Sequence, residues 1–90
     1  MKTSPRRLRS VTTSATRRDQ TGTFARFGLT PYFNAVVTAD DVSRPKPDPE
    51  PYRTTAQLLS VAPAGCLVIE DTINGVLAAR RAGVRTILLP

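Results

Sequence analysis

Apolar residues in this chain fall into short runs separated by polar breaks, and proline or glycine marks most of the breaks. The stretch Leu8 to Thr13 predicts a short strand. Thr16 to Phe27 predicts a helix, weakened at Gly22, since glycine costs about 1 kcal/mol in a helix interior. Phe24 and Phe27 stand i,i+3 on that helix and are expected to pack inward. Gly28 suits its C-cap. The β-rich run Ala35-Val36-Val37-Thr38 predicts a second strand, and Asp40 to Asp48 a polar, proline-containing loop. Tyr52, Ala56, Leu58 and Leu59 mark one face of a helix that starts near Pro49, with prolines in its first turn, where they are tolerated. Cys66-Leu67-Val68-Ile69 is a continuous apolar run, the pattern of a strand covered on both faces. Ile73, Val76, Leu77 and Arg80 follow helical spacing up to Gly83, a good residue just past a helix end. Val84 to Leu89 predicts the last strand. Strands alternating with helices imply right-handed βαβ units. The expected fold is therefore α/β, a partial Rossmann-like parallel sheet with flanking helices. Ligands in such folds sit beyond the carboxyl ends of the strands. Glu70 and Asp71 fall at such an end, as do Thr13, Ser14 and the loop after Thr38.

Ninety residues allow at most one small domain. A composition of 40% hydrophobic and 22% charged residues is that of an ordinary globular chain. No apolar run approaches the roughly 20 residues that span a membrane, and no signal-peptide-like apolar stretch follows Met1. The single cysteine, Cys66, excludes an internal disulfide and fits a reducing compartment. A cytoplasmic location is expected. The absence of histidine excludes Ser-His-Asp and Cys-His catalysis and any histidine-based zinc site.

The net charge of +6 resides in the first 18 residues, which hold Lys2, Arg6, Arg7, Arg9, Arg17 and Arg18 and no acid; from Asp19 onward seven basic residues balance seven acidic ones. The plain reading is a solvated, poorly ordered basic N-terminus over residues 1–8, ahead of a core over residues 9–90. A nucleic-acid contact is the rival reading, and the lack of aromatic residues among these arginines speaks against it. An organelle transit peptide is a further alternative. Only Leu8 and Val11 are larger apolar residues there, so its amphipathic face would be poor.

Two segments carry candidate chemistry. Lys46 stands in Lys46-Pro47-Asp48-Pro49-Glu50-Pro51-Tyr52, where prolines restrict the backbone around a cation suited to neutralising a phosphate as a point charge. Glu70 and Asp71 stand between an apolar strand and Thr72-Ile73-Asn74-Gly75 at a helix start. Adjacent carboxylates at a strand end are costly unless something cationic holds them. Mg²⁺, a hard ion that takes oxygen ligands, is the natural answer. The bland alternative makes Glu70 a cap or the partner of an arginine, and Asp71 a helix N-cap. Thr13 and Ser14 could offer a hydroxyl and a backbone N–H to a phosphate oxygen.

In this order the three positions resemble the haloacid dehalogenase superfamily, closest to its small-molecule phosphatases and sugar-phosphate mutases related to β-phosphoglucomutase. In that family a hydroxyl residue ends one strand, a lysine sits in a K-P-x-P loop, and an E-D-S/T-x-x-G-x-x-A-A stretch carries the metal carboxylates. The resemblance covers Val11 to Leu89. It implies Mg²⁺-dependent hydrolysis or transfer of a phosphate ester of a small metabolite by way of an aspartyl-phosphate. It also implies that Thr13, with Ser14 as the alternative, binds phosphate; that Lys46 stabilises the phosphoryl group and the nucleophile; and that Glu70 and Asp71 hold Mg²⁺.

The departure from the family is the D-x-D motif, whose first aspartate is the nucleophile and whose second is the general acid/base. This sequence contains no D-x-D. The family's substrate-selecting cap is also not matched. The strand that bears D-x-D lies in the middle of the family's sheet. The strands through Val11 and Val68 are therefore expected to pair directly or to leave ladder groups unsatisfied, since each needs a neighbour about 4.8 Å away. The sequence is thus expected to be a core fragment, inactive as given and aggregation-prone alone. A non-catalytic phosphate–metal module and a split enzyme whose partner chain brings the missing strand are the alternatives.

Overall fold

The computed structural model describes residues 8–90. The expected disorder of the basic N-terminus falls, for residues 1–7, outside the described residues. Among the described residues four strands and three α-helices alternate: β1 Ser10–Thr12, α1 Arg17–Phe27, β2 Ala35–Val37, α2 Glu50–Leu59, β3 Leu67–Glu70, α3 Ile73–Arg81 and β4 Arg85–Leu88. The α/β reading holds, and every expected element is present with ends shifted by a residue or two. The Thr16 hydroxyl caps α1 by accepting from the Asp19 N–H at 3.2 Å, and Gly28 ends the helix in the left-handed region at φ 65°. Helix α1 persists through Gly22. Thr72, not Asp71, is the N-cap of α3, its hydroxyl accepting from the Gly75 N–H.

Both strand pairs are parallel, as expected of βαβ units. They form two separate sheets among the described residues: β1 with β2, and β3 with β4. Of the two outcomes expected for the strands through Val11 and Val68, direct pairing is not found, and the Thr12 carbonyl on the open edge of β1 accepts from the Lys46 ammonium. Helix α2 packs on β1 and β2, α3 packs on β3 and β4, and the two helices touch, so one helical layer bridges the half-sheets. The core lies under that layer, where Tyr52, Ala78, Ala79, Ala82 and Val84 cluster with Cys66 and Val68 against them. Cys66 is half-buried against this cluster.

Residues alternate along a strand in the edge to which their N–H and C=O point, and this settles which edges are open. The Thr13 N–H donates to the Val37 carbonyl and the Arg9 carbonyl accepts from Asn34, so 9, 11 and 13 face β2. Ser10 and Thr12 then point away from β2. The Glu70 carbonyl accepts from Leu89 N–H, so Val68 and Glu70 face β4, and Leu67 and Ile69 point away from it. Both open edges line one groove of about 1540 Å³, floored by Tyr52, Thr55 and Ala56 of α2.

Several expected buried faces are not buried. Phe24 packs on Phe33 with ring centroids 5.3 Å apart, but Phe27 is 63% exposed, with Arg26 over its ring. Leu58, Ile73 and Leu77 are exposed. The buried stripe of α3 consists of the small residues Gly75, Ala78 and Ala79, and at Gly75 the Glu70 carboxylate takes the space a side chain would need. Strand β3 is covered on one face only: Leu67 and Ile69 are 57% and 62% exposed, and Ile87 beside Ile69 is exposed too. Among the described residues no helix is long and apolar enough to cross a membrane.

Candidate active site

The loop that carries Lys46 is fixed by more than its prolines. The Glu50 carboxylate accepts the N–H groups of Ser43 and Arg44 at 2.8 and 3.1 Å. The Asp48 carboxylate accepts the Glu50 N–H at 2.9 Å, and Arg81, at the end of α3, donates to the Pro47 carbonyl at 3.1 Å. The loop is thereby tied back on itself and onto α3. Its lysine reaches the ends of both half-sheets. Lys46 Nζ donates to the Thr12 carbonyl at 2.9 Å and to Glu70 Oε2 at 2.7 Å. It also lies 5.0 Å from the ring centroid of Tyr52. The side chains of this ion pair are only 11% and 9% exposed, so solvent screens it weakly. An ammonium has three N–H donors, and two of them are occupied by these bonds.

Glu70 is engaged at both oxygens. Oε2 accepts from Lys46 and from the Tyr52 hydroxyl. Oε1 accepts from the Asp71 N–H and the Thr72 hydroxyl at 3.3 and 3.4 Å. Burial pushes its carboxyl upward, but the bonds from Lys46 and Tyr52 and the charge on Lys46 outweigh burial and hold it below the usual range. Burial, then the bond to Glu70 and its negative charge, push the Tyr52 phenol well above the ordinary tyrosine range. Gly75, in the first turn of α3, makes room for this carboxylate: a Cβ there would lie 1.9 Å from Glu70 Cδ.

The remaining expected site residues border the same groove mouth as Lys46 and Glu70. Asp71 is exposed, and no hydrogen bond or ion pair among the described residues engages its carboxylate. The Thr13 hydroxyl accepts from the Ala15 N–H at 3.1 Å, which shapes the turn after β1, and Ser14 is exposed in that turn. The Thr12 hydroxyl is paired with Thr55 of α2 instead. Thr13, Ser14, Lys46, Glu70 and Asp71 are therefore brought to one end of the two half-sheets.

Mg²⁺ is usually held by one or two carboxylates, with water and phosphate oxygens completing its shell. Among the described residues no cluster of three or more His, Cys, Asp or Glu side chains gathers. The donor set at this mouth is the open Asp71 carboxylate next to Glu70. It fits an ion that takes most of its ligands from water and phosphate.

Sequence reasoning missed Tyr52, Gly75, Glu50 and Arg81 as parts of this site. Gly75 carried a signal, a glycine in the first turn of a helix that follows a carboxylate. Asp41 was also passed over. It closes a capping box with Thr38 and pairs with Arg17, fastening the start of α1 to the loop after β2.

The chain is similar to known proteins. The profile of a family described as haloacid dehalogenase-like hydrolase matches residues 8–89. The chain is 43% identical over 74 residues to validoxylamine A 7'-phosphate phosphatase of Streptomyces hygroscopicus subsp. limoneus, covering 82% of this chain and 35% of that protein. It is 47% identical over 60 residues to the fructose-1-phosphate phosphatase YqaB of Escherichia coli, covering 67% of this chain and 32% of that protein. Among solved structures, CbbY of Rhodobacter sphaeroides in complex with phosphate superposes with a TM-score of 0.84 at 31% identity, over 90% of this chain and 37% of the other. The chain spans about a third of the length of the curated relatives it matches.

Proposed function

Since the chain belongs to the haloacid dehalogenase-like hydrolase family, we propose that its 90 residues carry the phosphate- and metal-binding part of a Mg²⁺-dependent phosphatase for a small phosphorylated metabolite. One observation carries this reading above the others. The Lys46 ammonium is held at the converging ends of β1 and β3, bonded to both, with Asp71 open beside it. Lys46 neutralises a phosphoryl oxygen with the donor that its two bonds leave over. The Thr13 hydroxyl, or that of Ser14, donates to a second oxygen. Asp71 is the primary carboxylate for Mg²⁺, with Glu70 beside it. The ion, when bound, would act as a Lewis acid that offsets phosphoryl charge. The phosphate esters named in two relatives, validoxylamine A 7'-phosphate and fructose 1-phosphate, support an organic phosphate monoester as substrate. The lone thiol of Cys66 supports a reducing, cytoplasmic location.

The nucleophilic aspartate of the aspartyl-phosphate route has no counterpart in this sequence. We assign it to a strand from outside these 90 residues, which pairs with the open edges of β1 and β3 and brings its carboxylate to Lys46. This manner of completing a sheet is β-strand addition.

The test is phosphate binding and turnover by the purified 90-residue chain. Inorganic phosphate is expected to bind more tightly with Mg²⁺ than without, and to be lost from Lys46→Ala. Hydrolysis of p-nitrophenyl phosphate is expected to stay at background. Turnover that disappears in both Lys46→Ala and Asp71→Ala would show that the chain catalyses without an added strand, and would sink the assignment of the nucleophile. Loss of phosphate binding in none of the variants would sink the site itself.

A further inference from the structure

We propose that Tyr52 is a positioning residue for Lys46, acting together with Glu70 seated over Gly75, and that Glu70 serves this site chiefly as the anchor of the lysine. The inference rests on the phosphate-binding role of Lys46 given above and adds what keeps that lysine in place. A lysine ammonium rides on a flexible four-carbon stem. Left to itself it would sample the groove mouth instead of one point in it. Three contacts remove that freedom. The Thr12 carbonyl accepts from one side at 2.9 Å. Glu70 Oε2 accepts from the other at 2.7 Å. The Tyr52 ring carries the ammonium 5.0 Å from its centroid, within reach of a cation–π attraction.

Glu70 could do this only if it were itself fixed, and the Tyr52 hydroxyl fixes it by donating to the same Oε2 atom. Tyr52 is 6% exposed and belongs to the central cluster of the core, and a buried tyrosine hydroxyl calls for a partner, which Glu70 supplies. On the far side the carboxylate presses on the space where Gly75 has no side chain. Its second oxygen is taken by the Asp71 N–H and the Thr72 hydroxyl. A carboxylate engaged at both oxygens and backed by a helix has little left for a metal. Asp71, next in sequence and open, is the one free to take that part. The two adjacent carboxylates are thus divided between two tasks: Glu70 is bonded to the lysine, and Asp71 is left open to the ion.

The experiment is NMR of the ¹⁵N-labelled 90-residue chain, following the Lys46 ammonium, with inorganic phosphate and Mg²⁺ as the added probe. The Lys46 signal is identified by its loss in Lys46→Arg. Tyr52→Phe keeps the ring and removes only the hydroxyl. It is expected to speed exchange of the Lys46 ammonium protons and to weaken phosphate binding about three- to tenfold, the size of one hydrogen bond. Thr55→Val removes another buried hydroxyl from the same helix. It is expected to lower stability without changing the Lys46 signal. Wild-type ammonium exchange in Tyr52→Phe, or an equal change in Thr55→Val, overturns the proposal. If Tyr52→Phe does not fold, Glu70→Gln carries the test, because it retains an oxygen for the Tyr52 hydroxyl and removes the charge that faces Lys46. An unchanged Lys46 signal there overturns the proposal as well. A wild-type chain that binds no phosphate refutes the proposed function, whereas the ammonium signal still reports on the positioning.

Discussion

At Gly75 a single hydrogen atom decides whether the site can form. The close approach of the Glu70 carboxylate means that a methyl group at position 75 must push it away. The moving group is the end of a flexible side chain, so the clash itself is relieved cheaply. The cost lies in what Glu70 abandons, the nearly buried Lys46 ammonium and the Tyr52 hydroxyl. Gly75→Ala is expected to destabilise the fold by about 1–3 kcal/mol, the range for leaving such groups unpaired, as read from the urea midpoint. A midpoint at or above wild type would mean that the network re-forms elsewhere. Asp41 gives a second test. The Thr38 N–H bond above all, helped by the Thr38 hydroxyl and Arg17, holds its carboxyl below the ordinary value of 3.8 against the opposing effect of desolvation. A carboxyl lowered in the folded state stabilises fully above its unfolded value and loses that contribution as pH falls through its folded value. Asp41→Asn is therefore expected to cost about 1 kcal/mol, the size of a helix cap, at neutral pH. The difference from wild type should shrink once pH drops below 3.8; a difference that persists in acid would assign the effect to shape and not to charge. Lys46, Glu70 and Asp71 were legible in the sequence because a cation among prolines and paired carboxylates at a strand end are unusual by residue type alone. The part played by Tyr52 was not legible. Its helical spacing accounts for its burial and leaves the hydroxyl unexplained until Glu70 is seen beside it.

Helix α1 shows at the scale of an element how two glycines pull in opposite directions. Gly22 lies within the helix, and nothing stands within 4 Å of where a Cβ would be added. Gly28 ends the same helix at φ 65°, in equally open space. Space does not separate the two positions, but backbone conformation does. Gly22→Ala is expected to stabilise by about 0.5–1 kcal/mol. Gly28→Ala is expected to destabilise by roughly 1–2 kcal/mol, since a Cβ in the left-handed region meets the following carbonyl. Thermal melts of the two variants should move in opposite directions, and shifts of the same sign would contradict the cap. Elements were read correctly from the sequence because caps, prolines and β-branched runs are local signals. Their buried faces were read less well. Periodicity counts large apolar residues, whereas α3 is buried along Gly75, Ala78 and Ala79 and shows Ile73 and Leu77 outward. Leu58 and Phe27 were misassigned for the same reason. What a helix buries depends on what lies against it, and no local pattern states that.

The whole molecule is organised around the groove between its two half-sheets. The α/β alternation was legible along the chain; lacking a D-x-D strand left two outcomes open, and the structure shows the one in which the strands through Val11 and Val68 stay apart. What the sequence could not show is that one helical layer, α2 against α3, keeps the half-sheets in place without a strand between them. Lys46 fastens their ends as well, since it bonds to the Thr12 carbonyl and to Glu70. That carbonyl points into the groove, in agreement with the alternation that turns Thr13 toward β2. Hydrogen exchange tests the arrangement amide by amide. Val11, Thr13, Val68 and Glu70 point to their paired strands and are expected to exchange slowly. Ser10, Thr12, Leu67 and Ile69 point to the groove and are expected to exchange faster, although each is a chain neighbour of a protected residue. No gradient of stability along the chain can produce such alternation; only an open edge can. Uniform protection across both strands at high dilution would mean that the edges are closed in solution and that no room remains for another strand. A segment that completes the sheet is expected to slow exchange at all four groove-facing amides together. It should leave the other four unchanged, because a parallel strand between β1 and β3 would take up both edges at once.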